Sequence, residues 1–347
     1  MDTVRHIAIQ VPDPWLTAEY YKRIFALDVA GETDSSLAEG VYLTDGVINL
    51  ALLAFKSEEA SQGTGLDHIG LHHFGVWAED LEATAKRAEA AGAEWVMGEP
   101  DYRHNASYEV KYRERNGVIF DLVHNGWAGT QSRPGEPGNV VAKPRGLVER
   151  YNERRAAAAE KMDAILPRDT AATPGQLRHF AISTQDPWAT AEFFKYAFGW
   201  EVVGETDSSI AEGTFMSDGL FNIALLNFKN EKGAQGKGLD FVGMHHFGIW
   251  IDEVAPTQKL IEQAGGEWVM GEPDYRHNAA YEVKFREING VILDLVHNGW
   301  AGTQRRPGDA DNMVTGPRPL VERYAERRAS AAQELDAKVG REPVPAE

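Results

Sequence analysis

Asp121-Leu122-Val123-His124-Asn125-Gly126-Trp127 returns unchanged as Asp294-Leu295-Val296-His297-Asn298-Gly299-Trp300. The offset is 173 positions (121 to 294), and outward from this stretch it holds everywhere. It relates His72-His73-Phe74-Gly75 to His245-His246-Phe247-Gly248, and Arg5-His6 to Arg178-His179. It also relates Leu147-Val148-Glu149-Arg150-Tyr151 to Leu320-Val321-Glu322-Arg323-Tyr324. No gap is needed, and most aligned positions are identical. A repeat of this length is a tandem duplication, and each copy is long enough to bury a core of its own. The copies have drifted, since Tyr112 has become Phe285 and Leu27 has become Trp200. Of the 11 histidines, all but His68 fall into offset pairs. Drift that spares the histidines points to a working site in both copies.

Composition narrows the class of protein. Apolar residues make up 43% and charged residues 25% of the 347, as in an ordinary globular chain. The net charge of -18 argues against nucleic acid, whose phosphates need a basic surface, and against anionic membranes. The absence of cysteine excludes disulfides, thiolate chemistry and Cys-ligated metal. The N-terminal residues do not read as a secretion signal, and no apolar run is long enough to span a bilayer. The expected location is the cytoplasm.

The periodicity is that of an α+β protein. Residues 4–11 alternate as a half-buried strand, with Ile7 and Ile9 on one side and His6, Ala8 and Gln10 on the other. Asp13-Pro14-Trp15 opens a helix, with Asp13 as N-cap and Pro14 in the first turn. Residues 40–44 and 47–55 read as strands around a turn at Asp45-Gly46. The pattern then restarts. Residues 72–78 form a strand, and residues 80–91 a helix ended by Gly92. Residues 95–98, 108–113 and 118–124 are strands, the last two joined near Asn116-Gly117. Each copy therefore reads as two βαβββ modules. An Ala- and Glu-rich helix follows at about 145–165, and Pro167 to Gln176 forms the boundary between copies. The expected domains are 1–135 and 174–308. A helical extension and linker occupy 136–173, and a helical C-terminal extension occupies 309–347.

His6, at the start of one strand, His73, at the start of another, and Asp121, inside the apolar run Val118 to Val123, are the chemically unusual residues. A carboxylate in such a run is costly unless it is paired or bound to metal. With the modular pattern, these residues make the chain resemble the vicinal oxygen chelate superfamily of glyoxalases, bleomycin-resistance proteins and extradiol dioxygenases. The resemblance covers about 5–127 and 178–300. It implies two tandem domains, each a pair of βαβββ modules forming a cupped mixed sheet around a metal. It also implies the ligand sets His6, His73, Asp121 and His179, His246, Asp294. The family carboxylate is usually Glu; Asp is one methylene shorter, so the metal would sit closer to its strand. Where glyoxalase-like members carry a fourth ligand, Asn49 and Asn222 stand, read here as substrate-binding. Three ligands on one face resemble the non-heme Fe(II) oxygenases.

Asp101-Tyr102-Arg103-His104-Asn105-Ala106 recurs unchanged as Asp274 to Ala279, a polar loop that reads as an active-site wall. By resemblance to extradiol dioxygenases, His104 and Tyr108 (His277 and Tyr281) are the catalytic candidates. Arg103 and Arg276 are expected to bind substrate. Tyr112 better matches the family tyrosine, but Phe285 replaces it in copy two. Trp77 and Trp250 share the parity of His73 and His246 and could line the cup for a planar substrate. His72 and His245 have the opposite parity and are read as facing a helix layer or loop. His124 is read as structural, and Trp127 as covering a core edge.

Three functions follow as expectations. The first is an Fe(II) extradiol-type dioxygenase acting on a small catechol-like substrate with O2. The second is a redox-neutral lyase, isomerase or epimerase using a divalent metal, with Mn, Ni, Co or Zn as alternatives to iron. The third is a metal-free small-molecule binding or resistance protein. The tandem could imitate a family homodimer, and further homo-oligomerisation is open.

Overall fold

A computed structural model describes residues 1–98, 109–271 and 282–341. The first half runs β1 (Thr3–Gln10), α1 (Pro14–Phe25), β2 (Asp28–Asp34), β3 (Ala38–Thr44) and β4 (Asn49–Phe55). It continues with β5 (Gly70–Trp77), α2 (Leu81–Ala90), β6 (Glu94–Met97), β7 (Val110–Arg113), β8 (Ile119–Val123) and the tail helix α3 (Asn152–Asp163). The second half repeats this as β9 (Gly175–Ser183), α4 (Pro187–Phe198), β10 (Glu201–Asp207), β11 (Ala211–Ser217) and β12 (Asn222–Phe228). A short α5 (Glu231–Ala234) precedes β13 (Gly243–Ile251), α6 (Val254–Gln263), β14 (Glu267–Met270), β15 (Val283–Arg286), β16 (Ile292–Val296) and α7 (Ala325–Val339). No helix of the described residues is long and apolar enough to cross a membrane.

The local signals act as their chemistry predicts. The Asp13 carboxylate accepts the amide of Leu16 and caps α1, and Asp80 caps α2 through Ala83. Asp45 accepts the amides of Val47 and Ile48, which closes the β3–β4 hairpin over Gly46 at φ 90°. One strand of the first module, β2, had no assignment of its own in the periodicity. Its residues Asp28-Val29-Ala30-Gly31-Glu32 mix charge with small residues and show no clean alternation.

Each half folds into one eight-stranded mixed sheet, in the order β2-β3-β4-β1-β5-β8-β7-β6 for the first and the equivalent order for the second. The two modules of a half meet where β1 pairs antiparallel with β5. The modules pair within a copy, so all residues of one cup come from one half.

β1 is buried on both faces rather than half-buried, with only Thr3 partly exposed. Its concave face lines the cup. Its other face belongs to a core shared by both halves. There Phe74 of β5 packs on Phe180, Phe194 and Trp200 of the second half, and Tyr21 of α1 packs on Phe247. α2 contacts α4, and α1 contacts α6. Two buried ion pairs related by the repeat, Arg5 with Asp218 and Arg178 with Asp45, bridge the halves. The duplicated chain thus reproduces the two-fold symmetric interface of a dimer within one polypeptide.

Candidate metal centre

Five strands place five residues in one row across the first sheet. Asn49 on β4 pairs with His6 on β1, His6 with Gly75 on β5, Gly75 with Asp121 on β8, and Asp121 with Lys111 on β7. His73 lies two residues before Gly75, opposite Ala8. The row brings three donors together. His6 Nε2 stands 3.3 Å from His73 Nε2, which stands 3.3 Å from Asp121 Oδ2. His179, His246 and Asp294 repeat this, with 3.4 Å and 3.3 Å for the same pairs. Donors bound to one cation at about 2.0–2.1 Å stand roughly 3.0–3.4 Å apart, so the spacing fits a metal.

The hydrogen-bond network sets the tautomers. Asn49 donates Nδ2–H to the Ala128 carbonyl at 2.9 Å, which turns its Oδ1 toward His6 Nδ1 at 2.8 Å. His6 therefore carries its proton on Nδ1 and presents a bare Nε2 to the cup. His73 is set by a longer relay. His72 Nε2–H donates to the Ser61 carbonyl at 2.8 Å, leaving His72 Nδ1 to accept from His73 Nδ1–H at 2.7 Å. His73 Nε2 is then bare as well. The second half uses Asn222, His245 and the Ala234 carbonyl in the same way.

The parity reading of His72 is thus corrected. The β1–β5 register slips between Ala8–His73 and Ile9–Leu71, so His72 is the extra residue of a β-bulge. The bulge turns its ring against His73, and His245 does the same against His246.

Burial makes this cluster electrostatically demanding. Desolvation lowers His6 and His72 to about 4 and holds His73 well below the ordinary histidine range, so all three are neutral at pH 7. Asp121 is fully buried, and its Oδ1 has no hydrogen-bond partner among the described residues. A cation already touches its other oxygen. Lys111 Nζ contacts Asp121 Oδ2 and lies 3.4 Å from Glu109 Oε2. One ammonium serves two carboxylates, and they part company. Burial drives Asp121 up to about 8 against the pull of Lys111. Lys111 and His6 outweigh the burial of Glu109 and hold it at about 2. Below about pH 8 Asp121 thus keeps its proton and Lys111 balances Glu109, so a divalent cation at the triad would take the place of that proton.

Lys111 and Glu109, with Lys284 and Glu282, went unnoticed in the sequence because Glu109-Val110-Lys111-Tyr112-Arg113 alternates like a strand with a solvated face. The available signal was that Glu-Val-Lys survives in both copies while Tyr112 drifts to Phe285. Tyr112, the closer match to the family tyrosine, turns away from the cup, packs on Phe120 and donates to Glu89.

Other expectations also need correcting. Asn49 and Asn222 do not face a substrate, because both ends of each amide are spent on a histidine and a carbonyl. Trp77 packs with Val123 and Trp127 against Gly126 and does not line the cavity that opens on His6 and His73. Trp250 is fully buried and donates to the His297 carbonyl. The site wall is instead Trp127, whose indole stacks on His6 and donates to Glu109 Oε1 at 2.7 Å. Trp300 repeats this on His179 and Glu282. His124 is exposed at the end of β8. Arg103, His104, Tyr108, Arg276, His277 and Tyr281 lie outside the described residues. A cavity of about 90 Å³ opens on His6, His73, Glu109 and Lys111 and is walled by Tyr42 and Phe55.

The profile of the Glyoxalase/Bleomycin resistance protein/Dioxygenase superfamily matches residues 3–122 and 176–295. The chain belongs to that superfamily. The resemblance and the tandem α+β architecture read from the sequence are borne out. Superfamily-like folds among solved structures include the 2,3-dioxygenase LapB from Pseudomonas sp. KL28. It is 13% identical, with 92% of this chain and 96% of that chain covered at a TM-score of 0.55. A mutant of 4-hydroxymandelate synthase from Streptomyces coelicolor is 14% identical, with 86% and 93% covered at 0.58. A Mn(II)-bound glyoxalase from Novosphingobium aromaticivorans is 13% identical, with 93% and 88% covered at 0.51. At these identities the likeness is one of fold alone. A search of curated protein sequences finds no match.

Proposed function

We propose that each half binds one divalent cation through His6, His73 and Asp121, or His179, His246 and Asp294, and that the protein is an extradiol-type dioxygenase. Its metal would be Fe(II), and its substrates a small catechol-like molecule and O2. One observation carries the metal assignment. Two bare imidazole nitrogens and a carboxylate oxygen face one another at 3.3 Å with their tautomers locked from behind. Lone pairs so placed repel unless a cation lies between them. Bound there, a divalent cation supplies Lewis acidity toward two neighbouring substrate oxygens, and Fe(II) adds the redox chemistry that O2 requires. The chain's own part is positional. Asn49 and His72 hold the imidazoles, Trp127 and the β5 backbone shield them from water, and Tyr42 and Phe55 offer flat surfaces to a planar ring.

One observation speaks for a redox-neutral lyase or isomerase: the Glu109 carboxylate stands in the cup wall, where such a reaction needs a proton acceptor. Held at about 2, however, Glu109 is a weak base, which supports the oxygenase reading.

The test is metal content and O2 uptake. Purified protein should hold two ions per chain, His73→Ala one, and His73→Ala with His246→Ala none. Iron-loaded protein should consume O2 with a catechol. Retention of both ions by the double variant would overturn the ligand assignment. Turnover with Mn(II) or Ni(II) in the absence of O2 would replace the oxygenase by the redox-neutral enzyme.

A further inference from the structure

Lys111 is a buried ammonium that the proposed chemistry does not use. In each half it stands beside the aspartate, as the only lysine at the cup among the described residues. Its place is close to where the proposed divalent cation would be held. Lys284 Nζ touches Asp294 Oδ2 and lies 3.5 Å from His246 Nε2, so it reaches two of the three donors at once. A second partner is already in position. Glu282 Oε2 is 3.3 Å from Lys284 Nζ, and Glu109 Oε2 is 3.4 Å from Lys111 Nζ. Each glutamate is fixed by a tryptophan N–H on its other oxygen.

We infer that Lys111 and Lys284 are resident cations that hold the aspartates in the metal-free protein, compete with the divalent ion for them, and move to Glu109 and Glu282 when it binds. The inference rests on the metal reading of the same site. It follows from simple electrostatics. An ammonium and a divalent ion sharing one carboxylate oxygen inside a dry cup repel strongly, and burial leaves little water to screen them. The aspartate can satisfy one of them fully, and the glutamate one bond away takes the other. The lysine thereby has two jobs. It gives the buried aspartate oxygen a partner while the metal is absent, and it weakens the metal's hold. In an ordinary two-histidine, one-carboxylate site neither would occur.

The experiment is Mn(II) binding to EDTA-treated full-length protein, followed by the electron paramagnetic resonance signal of free Mn(II) and by calorimetry. Wild type should bind two ions. Lys111→Met with Lys284→Met should bind two ions at least about tenfold more tightly, and should melt at lower temperature than wild type when metal-free. Lys111→Gln alone should split the sites into one tightened and one unchanged, the intact half serving as reference within the same molecule. Lys111→Arg, which keeps the charge, should not tighten its site. If wild type binds Mn(II) and neither the Met nor the Gln variant binds more tightly, the competition is refuted while the metal site stands. If no variant and no wild type binds Mn(II), the metal reading falls and this inference with it.

Discussion

The indole of Trp127 lies flat on the imidazole of His6, with ring centroids 4.9 Å apart and planes 11° from parallel. Gly75 makes this contact possible. A Cβ built there would stand 2.4 Å from the indole and 2.8 Å from His6 Cβ, distances no packed atoms adopt. The glycine is thus required for space between His6 and Asp121, and its φ is unexceptional. Gly75→Ala should push Trp127 off His6 and loosen Glu109 with it. The expected outcome is a shifted tryptophan emission and at least about a tenfold weaker metal site in the first half only, an effect typical of disturbing the groups that orient a ligand. Gly248→Ala should do the same to the second half. Unchanged emission and affinity would mean that the stacked indole is not part of the site.

His72 acts through His73. With Ser61 O accepting from its Nε2–H, its Nδ1 can only accept, and this selects the tautomer of His73 that leaves Nε2 free. His72→Phe keeps the tilted ring contact with Phe55 but loses both hydrogen bonds. Metal affinity of the first site should fall about 10–100-fold, as for other buried partners of ligating histidines. His245→Phe should act equally on the second. Calorimetric titration decides, and equal affinity in variant and wild type would show that packing alone orients His73.

The metal-free protein should lose stability as pH rises above neutrality. Asp121 and Asp294, raised from 3.8 to about 8 by burial, keep protons that the unfolded chain has released between those values. The folded state binds more protons across that window, so these groups make stability fall as pH rises through it. The histidines act oppositely. His6, His72 and His179 are lowered from 6.5 to about 4, so their contribution rises with pH between 4 and 6.5 and is level above. From about pH 6.5 to 8 the carboxylates alone decide the slope. Glu114 and Glu287, raised to about 7, add to its lower end. Melting temperature of EDTA-treated protein should therefore drop from pH 6.5 to 8, and Mn(II) should flatten that limb by holding the aspartates ionised. A limb unaffected by Mn(II) would assign the slope to groups outside the triads.

Much of this architecture was legible because each module is short and locally consistent. The cap at Asp13, the helix ended by Gly92, the hairpin turn at Asp45-Gly46 and the strand read at β1 all agree with the final topology. His6, His73 and Asp121 were legible for a different reason: each is a polar group in an apolar strand, and such residues need a partner. What escaped depended on three-dimensional side. The bulge at His72 breaks the period of two on which parity rests. Lys111 and Glu109 sit on a strand whose polar face looks into a cup instead of toward water, which no alternation pattern can distinguish. Asn49 stands at the family's ligand position, but the Ala128 carbonyl, distant in sequence, turns its amide onto His6.

The two cups depend on each other through the strands that carry their first histidines. Arg5, next to His6, is the extra residue of a bulge in β1 and pairs with Asp218 at the hairpin turn of the other half. Asp218 also accepts the amides of Val4, Leu220 and Phe221, so one carboxylate ties its own turn to the neighbouring half's strand. Asp45 does the same for Leu177 and Arg178, next to His179. All four side chains are at most 2% exposed, so the pairs are true interior charges. Removing one partner strands the other, a loss of about 3–5 kcal/mol in comparable buried pairs. Arg5→Met should thus lower the denaturation midpoint markedly, and Arg178→Met by a similar amount. Because each variant frays the start of a ligand-bearing strand, Arg5→Met should also weaken metal binding at the first site more than at the second. A destabilised variant whose two sites still bind equally would show that the interface supports the fold without reaching the cups.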